Sequence, residues 1–150
     1  MSNFNFKEKR CLLTFVIIIF LAGSFTLSYA QSFTEIKEKI EEKVNAFGRV
    51  ILKFAHPTST HENTEITGFH PYGDTQTGYD ANQEPYEYNL KVVFRVNYKG
   101  WVKHHTMEVA VYFKYLMPKD IQLESDTSNF KTFGLIVARK MIANLKSEFD

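Results

Sequence analysis

Residues 89–115 read NLKVVFRVNYKGWVKHHTMEVAVYFKY, and how they pair decides the fold. Val92, Phe94, Val96 and Tyr98 alternate with Val93, Arg95 and Asn97. Beyond Lys99-Gly100 the alternation resumes through Met107, Val109, Val111, Phe113 and Tyr115. Period two in β-branched and aromatic residues spells two strands, each with one buried face. A two-residue Lys99-Gly100 turn sets Tyr98 opposite Trp101, Phe94 opposite His105, Val92 opposite Met107 and Lys91 opposite Glu108. A three-residue turn moves every partner by one and puts the stripe from Met107 to Phe113 on a face with Arg95 and Asn97. Burial disfavours that arrangement, because a one-residue slip turns the whole side-chain set over. The two-residue turn is therefore expected, although both of its positions want positive φ and Lys99 suits that poorly.

Helical spacing flanks the hairpin on both sides. Upstream, Phe33, Ile36, Ile40, Val44, Phe47, Ile51 and Phe54 recur every three or four residues, one face of a single long helix. Ser32 and Glu35 have capping-box spacing, and His56-Pro57 ends the run. Gly48 weakens a helix, so its presence marks a close contact. Downstream, Phe130, Phe133, Val137, Met141 and Leu145 form a second stripe, with Asp126, Thr127 and Ser128 as candidate caps. Residues 65–69 read as a short strand. The expected fold class is α+β, two helices packed on a small antiparallel sheet in the order α-β-β-β-α.

The first thirty residues read as an address. Lys7, Lys9 and Arg10 precede an apolar run over residues 11–23, and Ser28-Tyr29-Ala30 gives a small-x-small cleavage site. These are the parts of a secretory signal peptide cut before Gln31. Residues 31–150 then form a single exported domain, periplasmic or secreted. An uncleaved leader would instead tether the domain to a membrane. Cys11 is the chain's one cysteine and leaves with the leader, so the domain is held by its core and not by a disulfide. The absence of both a disulfide and an Asn-x-Ser/Thr acceptor favours a bacterial envelope or secreted protein.

Removing Lys7, Lys9, Arg10 and Glu8 from 18 basic and 17 acidic residues leaves 15 and 16, net −1. Nothing in that balance pulls the domain towards nucleic acid. The charge is unevenly spread. Between Phe54 and Leu90 there is no Lys or Arg, while Glu62, Glu65, Asp74, Asp80, Glu84 and Glu87 all fall there.

Catalytic and cofactor motifs are not found. No phosphate loop, dinucleotide fingerprint or nucleophile elbow occurs. HENTE, residues 61–65, has Glu65 where a HExxH zinc motif needs its second histidine, and its neighbours disfavour a helix. DANQE, residues 80–84, begins like a calcium loop, but Pro85 stands where the glycine belongs. No metal or other cofactor is expected, and no catalytic residue is assigned.

What remains is the segment 69–88, with residues 71–87 too long for an ordinary structureless loop. In one reading its rings fold back over the hairpin while its acids pair with Lys91, Arg95 or Lys103. In the other, Phe69, Tyr72, Asp74, Tyr79, Asp80, Glu84, Tyr86, Glu87 and Tyr88 bind a protein partner with a basic surface. The function expected is a non-enzymatic binding module: an adaptor, an assembly factor or an inhibitor of immunity type. The alternative is a small-ligand or glycan binder with a pocket floored by Phe94, Trp101, His105 and Met107. A third reading, a metal-assisted hydrolase, would use His61, Glu62 and His70.

Overall fold

The computed structural model describes residues 32–150. The expected signal peptide, residues 1–30, lies outside the described residues. A boundary between two units falls after Glu35, and the architecture below is that of Ile36–Asp150. The elements are α1 (residues 32–42), α2 (Val44–Ala55), β1 (Thr60–Tyr79), β2 (Pro85–Lys99), β3 (His104–Lys114), β4 (Met117–Asp126) and α3 (Leu135–Ser147). The strands form one antiparallel sheet in the order β1-β2-β3-β4. The class is α+β, with two differences from the expected element order. The first helical run is interrupted at Lys43, and a fourth strand follows the hairpin.

One face of the sheet carries the core. Leu90, Val92, Phe94 and Val96 of β2 and Met107, Val109, Val111 and Phe113 of β3 are fully buried. Ile40, Phe47, Ile51 and Met141 supply fully buried side chains from the helices. Phe47 meets Phe94 edge to face at 5.7 Å and Phe149 at 5.1 Å. The other face is polar. Arg95 bridges Glu65 of β1 at 3.2 Å and Glu108 of β3 at 3.0 Å. Beside it, Asn97 joins Asn63 and Thr106.

The hairpin register differs from the expected one. Lys99 stands opposite His104, Tyr98 opposite His105, Phe94 opposite Val109 and Val92 opposite Val111. The loop is residues 100–103, closed by Gly100 N–H donating to the Lys103 carbonyl at 2.9 Å. Each partner thus sits four residues further along than a two-residue turn would place it (Val109 in place of His105 opposite Phe94). Four is even, so the buried and exposed faces stay as the alternation requires. What changes is the pairing. The expected register would set Phe94 against His105 and Val96 against Lys103. The observed one sets Phe94 against Val109 and Val96 against Met107, and brings Arg95 opposite Glu108. Apolar pairs on one face and a charge pair on the other outweigh the tighter turn.

β4 escapes a period-two reading because two register shifts interrupt it. Pro118 lies opposite Phe113, Ile121 opposite Val111, Leu123 opposite Val109 and Asp126 opposite Met107. The residues on the core face are therefore spaced three, two and three. Pro118 fits because β4 is an edge strand. β1 hides its length in the same way, with shifts after His61, Ile66 and Pro71. The last helix starts later than its apolar stripe does. A helix capped by Asp126, Thr127 or Ser128 would include Asn129, whose φ of 67° lies in the left-handed region that no α-helix passes through, and residues 129–134 carry no regular structure.

Gly48 marks the close contact expected of it. A Cβ there would overlap Thr64 Oγ1 and stand 2.8 Å from His61 Nε2. Thr64 is buried and tied to its surroundings. It bonds His61 through its hydroxyl at 2.8 Å, and its N–H donates to Asn45 Oδ1 at 3.0 Å. Gly48→Ala gains about 1 kcal/mol of helix propensity and meets an overpacking penalty of roughly 1–3 kcal/mol. The clash is with a held, β-branched side chain, so the penalty wins. Urea denaturation of Gly48→Ala should show a net loss of stability with an unchanged m-value.

Candidate functional site

The acidic, tyrosine-rich segment is an ordered arm and not a structureless loop. Beyond the bulge after Pro71, β1 and β2 pair again from Gln76–Tyr88 to Tyr79–Pro85. Asp80 builds the turn at the tip. Its Oδ1 accepts the N–H groups of Asn82 at 2.8 Å and Glu84 at 3.0 Å. Its own N–H donates to the Glu84 carbonyl at 2.9 Å. The carboxylate that begins the calcium-like pattern is thus engaged by the backbone.

The arm's rings are packed on one another and on β3. Tyr88 meets Tyr112 at 4.9 Å, Tyr72 at 5.6 Å and Tyr86 at 5.9 Å, and Tyr86 also meets Tyr112 at 5.9 Å. Gly78 lies opposite Tyr86, and a Cβ there would overlap the ring, so the glycine leaves the strand open for the tyrosine to cover. Several acids are paired: Glu87 with Lys114, Asp80 with Arg139 of α3 at 3.8 Å, Glu65 with Arg95 and Glu62 with His104 at 2.7 Å. Phe69 is half-buried under the Lys37 amine, 5.9 Å from its ring centre. Of the nine residues assigned to partner binding, Asp74, Tyr79 and Glu84 stay exposed without a cation partner among the described residues.

A pocket of about 350 Å³ opens where the arm's tip meets β4 and the start of α3. Tyr79, Asp80 and Ala81 come from the arm, Asp120, Ile121, Gln122 and Leu123 from β4, and Phe133, Leu135 and Ala138 from the α3 side. Asp120 is its unusual member. The residue is buried, on the edge strand, with Gln122 Nε2 donating to its Oδ2 at 3.1 Å. Burial pushes its pKa above the ordinary carboxylate value, and nearby Asp80 adds to this. Bonds from Gln122, the Ile121 N–H and the Tyr86 hydroxyl offset only part of the shift. The Tyr86 hydroxyl is raised in turn, by burial first and then by Asp120. No Lys or Arg lines the pocket.

The four residues expected to floor a ligand pocket are not brought together. Phe94 and Met107 are sealed in the core, whereas Trp101 is 100% exposed at the tip of the β2–β3 hairpin. His105 is half-buried and stacks on Tyr98 at 5.4 Å. His61 and Glu62, two members of the metal-site reading, face Thr64 and His104 respectively. Among the described residues no three His, Cys, Asp or Glu side chains are grouped to hold a metal ion.

A second buried cluster joins α2 to the end of β4. His56 Nε2 donates to Asp126 Oδ2 at 2.7 Å, and Tyr98 OH donates to Asp126 Oδ1 at 2.7 Å. Ser128 Oγ donates to the same Oδ1 at 2.9 Å and lies 3.4 Å from His56 Nε2. A Ser-His-Asp triad needs serine and aspartate on opposite ring nitrogens. Here both approach Nε2, so the cluster fastens the chain and does not activate Ser128. Burial raises the Asp126 pKa, but the bonds from His56, the Ser128 N–H, Tyr98 and Ser128 Oγ outweigh it and leave the pKa lowered. Tyr98 is pushed up to about 12 by burial and by Asp126.

Sequence reading missed Asp120, Gln122 and the His56–Asp126 pair. Asp120 sits in a strand whose alternation is broken, and Asp126 carries the signature of a helix cap. Comparison with protein-family models, with curated proteins and with solved structures gives no match.

The lowered pKa of Asp126 gives a pH signature. Its stabilisation is complete above the ordinary value of 3.8 and is lost as pH falls through the lower folded value. Asp126→Asn should be less stable than the parent at pH 7 by about 3 kcal/mol, the scale for breaking a buried pair. The gap should narrow as the pH is taken below 3.8, measured by urea denaturation at each pH.

Proposed function

We propose that this chain is an exported, non-enzymatic binding protein that takes a small ligand in the pocket between the arm, β4 and α3. The observation that carries the reading is Asp120: a buried carboxyl, raised in pKa, on the wall of a pocket without a basic residue. An ionised acid held out of water costs stability, and perturbed groups in clefts concentrate at functional sites. The pocket's volume lies at the lower end of the range for small-molecule sites. Ile121, Leu123, Phe133 and Leu135 give it apolar walls, and Asp120 gives it an acidic end, since Asp80 is already paired with Arg139. A small organic cation with an apolar body matches that lining. This site replaces the one expected around Phe94 and Trp101.

The sign of the Asp120 effect is opposite to that of Asp126. A carboxyl whose folded pKa is raised favours the fold only while protonated, and that contribution is lost as pH rises through the folded value. Asp120→Asn should therefore be more stable than the parent at pH 7 and equal to it below the ordinary value of 3.8. Binding should move the other way. In a thermal-shift titration 2-phenylethylammonium should raise the melting temperature of the parent but not of Asp120→Asn. Phenylacetate, of similar shape and opposite charge, should do nothing. Equal shifts from both compounds, or none from either, would count against the pocket.

A second reading is favoured by the three arm residues left free. Asp74, Tyr79 and Glu84 are displayed on an ordered hairpin. A surface ordered before binding loses little entropy on docking, and its acids suit an adaptor or inhibitor whose protein partner presents a basic patch. Asp74→Lys with Glu84→Lys should then abolish capture of that partner from envelope extracts, and raised salt should weaken it. Capture unchanged by both would remove this reading and leave the pocket untouched.

A further inference from the structure

The most exposed apolar feature of the described residues is at the opposite end of β2 from the arm. Trp101 is 100% exposed and Val102 is 76% exposed. They occupy the loop 100–103, which the four-residue register shift puts beyond the sheet. Lys99 and Lys103 flank them, both exposed, and neither is ion-paired among the described residues. Glu62, the acid close by, is taken by His104 at 2.7 Å. Water-exposed Trp and Val are unfavourable, and this pair is held there by the burial of Val96 and Met107 one step further in.

We propose that the Trp101–Val102 tip is a contact element for an anionic membrane surface. The shape selects a bilayer over a protein. A standard protein interface takes about 800 Å² and 20–30 residues from each partner, and a four-residue convex loop with two apolar side chains offers far less. A lipid headgroup layer deforms around such a wedge. The side chains fit the layer as well: an indole settles at headgroup level, and lysines lay their stems along the apolar boundary while their amines meet lipid phosphates. The charge of the whole domain agrees. β2 spans 15 residues, about 50 Å at 3.3–3.4 Å each. Glu84 lies at the far end of that strand and Asp74 about three-quarters of the way along it, and neither has a cation partner among the described residues, so an anionic surface draws in the tip before the arm.

Trp101 is the only tryptophan in the chain, so its emission reports on the tip alone. The full chain is titrated with phosphatidylcholine vesicles that contain, or lack, about one part in three of phosphatidylglycerol, whose negative surface potential attracts basic segments. The expected result is a blue shift and lower acrylamide quenching with the anionic vesicles. Both should be lost at high salt and in the Lys99→Glu/Lys103→Glu variant, whose circular dichroism should match the parent. A shift that persists in the Lys99→Glu/Lys103→Glu variant, as one driven by the basic leader would, overturns the proposal whichever vesicles produce it. Unchanged emission on anionic vesicles overturns it too. A shift seen only with a soluble envelope fraction would assign the tip to a protein partner instead.

Discussion

The alternation of β2 is the constraint on which the rest of the structure depends. Leu90, Val92, Phe94 and Val96 lie wholly beneath the helices, while Arg95 and Asn97 face the polar side. β2 is an interior strand, flanked by β1 and β3, so its two faces propagate to both neighbours. Once one face is sealed, every other strand must present its apolar residues to that face. Where its own sequence does not alternate, it must bulge. The shifts in β1 and β4 are the means by which irregular strands meet a regular one.

The same constraint separates what could be read from the chain from what could not. The hairpin's two strands and the faces of Val92 to Tyr98 and of Met107 to Phe113 were legible, because strict period two identifies them. The register was not, because burial determines parity and is blind to a shift of an even number of residues. Cross-strand pairing decides that question: Phe94 with Val109 and Arg95 with Glu108. β4 and β1 were illegible because their core-facing residues are spaced by two and three in turn, and the outer part of β1 is set off by a larger shift between Pro71 and Gln76. The helix break at Lys43 left no trace, since the apolar spacing runs through it unbroken. For the site, the arm was legible as a special segment from its aromatic and acidic content. Its partner residues were not. Tyr112, Asp120 and Arg139 come from three elements that only the folded sheet brings to it.

Three groups sit where folding alone would not put them, and they differ in kind. Asp126 is buried with its charge fully answered by His56, Tyr98 and Ser128, and its lowered pKa marks it as a fastening. Asp120 is buried with its charge only partly answered, and its raised pKa makes the ionised form a cost to the fold. Trp101 is apolar and left in water. The first explains stability. The other two are positions where stability is given up, which is the usual mark of a contact made outside the fold. They lie towards opposite ends of β2, so the proposed ligand site and the proposed membrane contact do not overlap.

The arm must be a built element if it is to roof a pocket. Amide hydrogen exchange of the free protein, resolved by residue, tests this most directly. A paired arm predicts slowed exchange at ladder positions within residues 76–79 and 86–88, approaching that of the β2–β3 ladder, and fast exchange at the bulged residues 72–75. Exchange throughout 71–87 at the rate of an unfolded chain would contradict it, for then neither a preformed pocket roof nor a preorganised acidic surface would exist.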